Sequence, residues 1–274
     1  VEAPTKISAP VLLLVVLISA VNVVSAMTSK VVTADSTKAE VTVITIYDNY
    51  QHDPNLETGW GFSCLVEADG IKLLFDTGGE GSLLLENMEK LGIDPKEIEA
   101  VVLSHSHGDH TGGLDDFLEA NPDVKLYLLK SFPGSFKKKA DSSKTEVVEV
   151  SGPVAISERM STTGELGTSI KEQSLMVNTS KGLVVITGCA HPGILNVLKH
   201  AKKITGEGIY LVLGGFHLLD RSESQLKQVI EGFRELGVKK AAPCHCSGDE
   251  TRKLFQQEYK EGFIANGVGN TIQF

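Results

Sequence analysis

Four apolar, strand-like runs in this 274-residue chain stop at histidine, and that pattern narrows the fold more than any other feature. "AVVLSHSHGDH" ends in His105, His107 and His110, "LVVITGCAH" in His191 and "YLVLGGFH" in His217, while "KKAAPCHCSG" carries His245. Ligands in α/β sheets gather beyond the carboxyl ends of strands. Six of the eight histidines are therefore expected at one edge of the molecule. His200 falls on a predicted helix and reads as solvated. His52, in "NYQHDPN", follows the first predicted strand and could line the site.

The rest of the chain reads as hairpins first and strand–helix alternation later. "EVTVITIYDNY" alternates like a strand. "FSCLVEADGIKLLFDTG" reads as two strands joined by an Asp69-Gly70 turn, and "SLMVNTSKGLVVITG" as a second hairpin. "GSLLLENMEKLGI", "GLDDFLEANP", "GILNVLKHAKKI" and "SESQLKQVIEGFRELGV" have helical spacing, the last with Ser222 as N-cap. The lysine-rich stretch from Ser131 to Gly152 reads as a loop or mobile insertion. These signals predict two sheets covered by helices, in one domain spanning 41–274. Ahead of it, Val11 to Val24 is an apolar run too short for the roughly 20 residues of a membrane span. It suits the h-region of a signal peptide, with Val24-Ser25-Ala26 as cleavage site. The expectation is a signal peptide or hydrophobic anchor over 1–26 and a linker over 27–40. The protein is then exported or membrane-anchored, or cytoplasmic where translation starts near Met27, and any membrane contact runs through this segment.

The formal net charge of −9 argues against a nucleic-acid binder that works by neutralising phosphates. Four cysteines, Cys64, Cys189, Cys244 and Cys246, are too few for a disulfide scaffold at this length. Within "HSHGDH", imidazoles two residues apart beyond a strand can turn towards one ion. Gly108 reads as a sharp bend, after which Asp109 and His110 aim differently and open a helix. Three histidines and a carboxylate suit Zn²⁺, Fe²⁺ or Mn²⁺. Neither a Gly-x-Ser-x-Gly elbow nor a phosphate-binding Walker loop is present.

"HSHGDH" resembles the signature of the metallo-β-lactamase-fold superfamily, with "LLFDTG" similar to its first motif and "PCHCSG" to its C-terminal histidine motif. The resemblance runs from about Val41 to the end and implies a four-layer αββα sandwich with a dinuclear metal centre at one edge. "DNYQHDP", "GFSCLVE", "EQSLMVNTSKGLVVITGCAHPGI" and "LVLGGFHL" resemble a narrower branch, labelled dihydropteroate-synthase-like or dihydropterin–ribofuranosylaminobenzene phosphate synthase. The resemblance implies Asp109, His110 and His245 on one metal, and His105, His107 and His191 on the other. Asp76 would support the ligand loops by hydrogen bonds. One departure stands out: "TGCAH" replaces an expected "TGD", so Cys189 holds the aspartate-like place. Its thiolate could bind metal, or the residue could simply be small and buried.

Three functions follow. The first is a hydrolase using water activated by two divalent cations on an ester, phosphoester or lactone, with Asp109 and His217 as catalytic candidates. His217 could donate to an oxyanion or phosphate, or act as an acid. The second is a transferase condensing a dihydropterin diphosphate with a ribofuranosylaminobenzene phosphate. The third is a non-catalytic metal-binding protein. A redox di-iron site is disfavoured, because residue 106 is serine where a carboxylate would be required. The expected partner is a small molecule, phosphorylated in some of these readings, while oligomeric state is left open. Thr77, Gly78 and Gly79 could offer amides to an anion, and Trp60, Tyr50, Phe62 and Phe216 could stack on a ring.

Overall fold

Asp69 and Gly70 take left-handed backbone angles, φ 56° and 78°, as the tight turn between two adjacent strands requires. In the computed structural model, which describes residues 1–2, 41–141 and 144–274, that turn joins the second and third strands. Chain order runs β1 (Val41–Tyr47), β2 (Ser63–Ala68), β3 (Ile71–Phe75), α1 (Gly81–Lys90), β4 (Ala100–Val102), α2 (Gly108–Thr111), α3 (Leu114–Ala120), β5 (Lys125–Leu129), α4 (Gly134–Asp141) and β6 (Glu146–Val150). It continues β7 (Val154–Ala155), β8 (Met160–Thr162), β9 (Leu175–Thr179), β10 (Gly182–Thr187), α5 (Ile194–Thr205), β11 (Ile209–Gly215), α6 (Glu223–Glu235), β12 (Lys240–Cys244), α7 (Asp249–Tyr259) and β13 (Thr271–Gln273).

The strands form a seven-stranded sheet, β13-β1-β2-β3-β4-β5-β6, and a six-stranded sheet, β12-β11-β10-β9-β8-β7. Strand alternation explains the layering. Val184 and Ile186 of β10, with Leu211 and Leu213 of β11, join Val43, Val66 and Leu73, which share one face of the first sheet, in a common core. Their neighbours Leu183, Val185 and Val212 point the other way, onto Val197, Ile230 and Phe255 of α5, α6 and α7. A strand buried on both faces must be apolar at every position, which is why β10 and β11 read as continuous runs. Leu84 and Met88 of α1 and Phe117 of α3 pack with the first sheet. The result is the four-layer αββα sandwich.

Parallel pairing sets where the site can be. β3 pairs parallel with β4, and β10, β11 and β12 pair parallel in turn. The histidines that follow β10, β11 and β12 therefore leave the second sheet at carboxyl ends facing the same way, and those that follow β4 meet them from the first sheet.

Two expectations need correcting. The Ser131–Gly152 stretch is not a simple loop, since it contains α4 and β6, the latter paired in register with β5. β6 pairs on one side only, as the edge of its sheet, with Glu146 and Glu149 exposed and Val150 buried, and Lys137 pairs with Glu149 rather than standing free. Gly108 is not a bend glycine either: its φ is not positive, and an added Cβ would meet open space. The tight glycines come just afterwards. A Cβ on Gly112 would lie 2.1 Å from the Gly79 carbonyl, and one on Gly113 2.2 Å from the Thr77 carbonyl, so "DTGG" and "HTGG" interlock backbone to backbone. The proposed signal or anchor and linker lie outside the described residues, and among the described residues no helix is long and apolar enough to cross a membrane.

Ser222 caps α6 in a reciprocal box with Gln225. Ser222→Ala should lower the unfolding free energy by about 1 kcal/mol, read as a lower urea midpoint at unchanged slope, with metal content unaffected.

Candidate metal centre

The chain leaving β3 turns at Asp76, in left-handed conformation at φ 57°, and buries the carboxylate beneath the loop that follows β4. Asp76 Oδ1 accepts from the Ser104 amide at 2.6 Å, and Oδ2 accepts from the Ser104 hydroxyl and from His110 Nδ1, each at 2.7 Å. With the Ser104 hydroxyl committed to Asp76, His105 Nδ1–H is left to donate to Ser104 Oγ at 2.9 Å. His245 Nδ1 in turn lies 3.3 Å from Asn49 Oδ1 and donates to it. Three imidazoles are thus anchored through Nδ1, which leaves each Nε2 free to face the others. Protein ligands to metals are held this way, the outer nitrogen fixing tautomer and ring angle.

Those inward nitrogens meet. His105, His107 and His191 form one group whose donor atoms lie within 4.8 Å of one another, and Asp109, His110 and His245 form a second. His110 Nε2 is 3.2 Å from His245 Nε2, and Asp109 Oδ2 is 3.4 Å from His245 Nε2. The ring centroids of His105 and His110 are 4.3 Å apart, so the two groups adjoin. His105 Nε2 and His191 Nε2 are buried with no hydrogen-bond partner. A buried polar atom without a partner is costly, and two of them aimed at one place fit a cation that satisfies both. The donor set, imidazoles with a carboxylate and a thiol close by, suits a divalent transition metal.

Electrostatics agree. Burial, then the charges of His110 and His191, hold His105 far below the usual imidazole range, so it stays neutral. Burial and then His217 lower His191 to about 4. His110 rises to about 8: burial opposes its charge, but Asp76 outweighs it by proximity and hydrogen bond. Burial also opposes charge on Asp109, yet the His245 hydrogen bond and the neighbouring imidazoles carry its carboxyl well below the ordinary range. His105 and His191 are thus held neutral and Asp109 ionised, as ligation needs, whereas a cation taken up at His110 would displace a proton that Asp76 favours.

Backbone strain concentrates here. Asp76, Ala190, His217 and His245 all have left-handed φ, between 49° and 60°, a conformation costly for residues other than glycine. Glu172 holds one of these turns. Its Oε1 accepts from the Cys189 and Ala190 amides at 2.9 and 2.8 Å, and its Oε2 accepts from the His191 amide at 2.7 Å.

The residues singled out from sequence are distributed as follows. His105, His107, Asp109, His110, His191 and His245 come together. His217 does not join either group: it is exposed, with its ring 4.3 Å from that of His191, and it groups instead with Cys189 and Cys246. Cys189 lies inside the cluster, its sulfur 3.2 Å from His110 Nε2. His52 is exposed and joins no donor group, and His200 is half-buried, with Nε2 3.2 Å from the Thr163 carbonyl. The Thr77 and Gly78 amides are spent on the His110 and Phe62 carbonyls, and those of Gly79 and Glu80 on the Tyr47 hydroxyl, so this turn offers nothing to an anion. Phe62 and Phe216 are core residues, and Tyr50 donates to Asp249 and packs on Arg252, which leaves Trp60 exposed beside His245. Glu172, Asn49 and Cys246 were not anticipated. Asn49 follows β1 at a strand end and could have been found by the rule that found the histidines, whereas nothing local marks Glu172.

A sandwich of this layering with a histidine-rich donor cluster at its strand ends defines a class of proteins, and comparison identifies it. Residues 61–200 match the metallo-beta-lactamase superfamily, and the chain belongs to it. It is 31% identical, over 79% of its own length and 90% of the relative's, to the 7,8-dihydropterin-6-methyl-4-(beta-D-ribofuranosyl)-aminobenzene-5'-phosphate synthase of Methanocaldococcus jannaschii. Among solved structures it resembles Tm1679, described as a metal-dependent hydrolase of the beta-lactamase superfamily, at 30% identity and TM-score 0.72, covering 85% of this chain and 99% of that one. YhfI of Bacillus subtilis shares the fold at 14% identity and TM-score 0.63, over 85% and 99% of the two chains.

Asp76→Asn would turn an amide N–H₂ towards either His110 Nδ1–H or the Ser104 donors. Metal affinity should fall by about 10–100-fold, measured by competition with a chromogenic chelator, while the circular dichroism spectrum stays that of the wild type.

Proposed function

We propose that the chain is a dinuclear metal-dependent hydrolase, acting on an ester, phosphoester or lactone with water as nucleophile. The convergence of two adjacent three-residue donor groups, His105/His107/His191 and Asp109/His110/His245, carries this reading. Divalent cations bound there lower the pKa of water and polarise the bond under attack, and Zn²⁺ suits the donors best, with Fe²⁺ or Mn²⁺ as alternatives.

The protein's own residues do the rest. Asp76, Ser104 and Asn49 fix imidazole orientation, so no reorganisation accompanies reaction. Asp109 supplies negative charge beside His245 and His110. A hydrogen bond to Cys246 is the main cause that raises the His217 pKa above its ordinary value. His217 is exposed beside His191, where its proton can pass to a leaving group.

Substrate follows from the walls. A groove of about 420 Å³ opens beside His191 and His217, and its lining contains Lys199 and Arg221 but no acidic side chain. On a chain of net charge −9 this favours an anionic, phosphate-bearing small molecule. Across His217 a second cleft carries Trp60 and Leu219, 52% and 57% exposed, which offer apolar cover to the rest of the substrate.

The synthase reading is the second, favoured by the 31% identity with the M. jannaschii enzyme across nearly its whole length. It needs the same donor groups and, in addition, room for two large substrates.

Elemental analysis should find two divalent metals per chain, and His107→Ala or Asp109→Ala should remove metal and activity while sparing the fold. Trace metal in chelator-free preparations would end the dinuclear reading. Metal-loaded protein should hydrolyse generic phosphodiester, ester or lactone substrates. Condensation of a dihydropterin diphosphate with the ribofuranosylaminobenzene phosphate, without such hydrolysis, would establish the synthase instead. Arg221→Ala should raise KM for phosphorylated substrates by about tenfold, as expected for a lost charge-assisted contact, and leave KM for neutral esters unchanged.

A further inference from the structure

The Cys189 sulfur stands between the two donor groups. It is 3.2 Å from His110 Nε2 and 3.4 Å from His245 Nε2, both donors of the Asp109 group. It also forms a mutually close set with His105 and His110, and His105 belongs to the other group. A ligand shared by two cations has to occupy such a place. The nearby carboxylates are otherwise engaged: Asp76 with Ser104 and His110, Glu172 with three backbone amides, and Asp109 within its own group.

The turn is built to hold the sulfur there. Glu172 binds the amides of Cys189, Ala190 and His191 together. Ala190, between the two side chains, is left-handed at φ 60°. Gly188 brings the strand end close to the Asp76 loop, where a Cβ would lie 2.1 Å from Ser104 Oγ and 2.9 Å from Asp76 Oδ2. A side chain with no role beyond filling space would need none of these constraints.

We propose that the Cys189 thiolate is the ligand shared by the two cation positions. This rests on the dinuclear reading above. Ligation displaces the thiol proton to solvent, so metal uptake through Cys189 releases one proton per chain. A soft sulfur ligand favours Zn²⁺ or Co²⁺ over hard Mn²⁺ or Mg²⁺. Cys246 is the natural control. It belongs to neither three-residue donor group but is grouped with Cys189 and His217, and it directs its thiol to the Cys189 carbonyl at 3.7 Å.

The test titrates Co²⁺ into the full chain stripped of metal. Thiolate ligation gives a near-ultraviolet sulfur-to-cobalt charge-transfer absorption, and visible ligand-field bands report bound Co²⁺ whatever its donors. Wild type and Cys246→Ser should both show the charge-transfer band. Cys189→Ser should lose it while visible bands persist, and Cys189→Asp should lose it while still taking up two cobalt ions. Cobalt bound by wild type with no charge-transfer band would overturn the Cys189 assignment and leave the dinuclear reading standing. So would a band that survives in Cys189→Asp or disappears in Cys246→Ser. A wild-type chain that binds no cobalt would overturn both.

Discussion

One buried carboxylate organises the site. Asp76 sits at the end of β3, and its two oxygens take hydrogen bonds from Ser104, after β4, and from His110, on α2. Through Ser104 its influence reaches His105. Two imidazoles, one from each donor group, therefore owe their tautomer and direction to a single side chain with no exposure to solvent. The interlocked glycines serve the same end: Gly112 and Gly113 let the helix carrying His110 lie directly on the turn carrying Asp76. A rigid cluster of inward-facing imidazoles is otherwise hard to keep, because a buried atom with no partner draws in water or a local proton.

Much of this was legible in the sequence, and the reasons are physical. The apolar runs of β10 and β11 announced strands covered on both faces, and parallel pairing then forced the histidines beyond β10, β11 and β12 to a common edge. The Asp69-Gly70 turn and the Ser222 cap were readable because each rests on local chemistry. What was missed depends on distance along the chain. Glu172 acts on residues 17 to 19 positions later, in a segment with no pattern of its own. β6 was hidden because it lies at the sheet edge and is only partly buried, so its two exposed glutamates and the lysines before it looked like loop. Gly108 was misjudged because a glycine between two donors suggests a turn, whereas here the helix simply begins there.

The two donor groups also share an architectural property. His105 and His107 follow β4 in the first sheet, while their partner His191 follows β10 in the second. Asp109 and His110 belong to α2 beside the first sheet, while their partner His245 follows β12 in the second. Each group thus draws two ligands from the side of the first sheet and one from the second. A cation in either position is a staple between the two sheets, fastened at the rim where the hydrophobic core between them runs out. Sheet docking and cation occupancy then become one linked equilibrium: whatever loosens the sheets at that rim loosens the ion, and an ion taken away leaves the rim free to breathe.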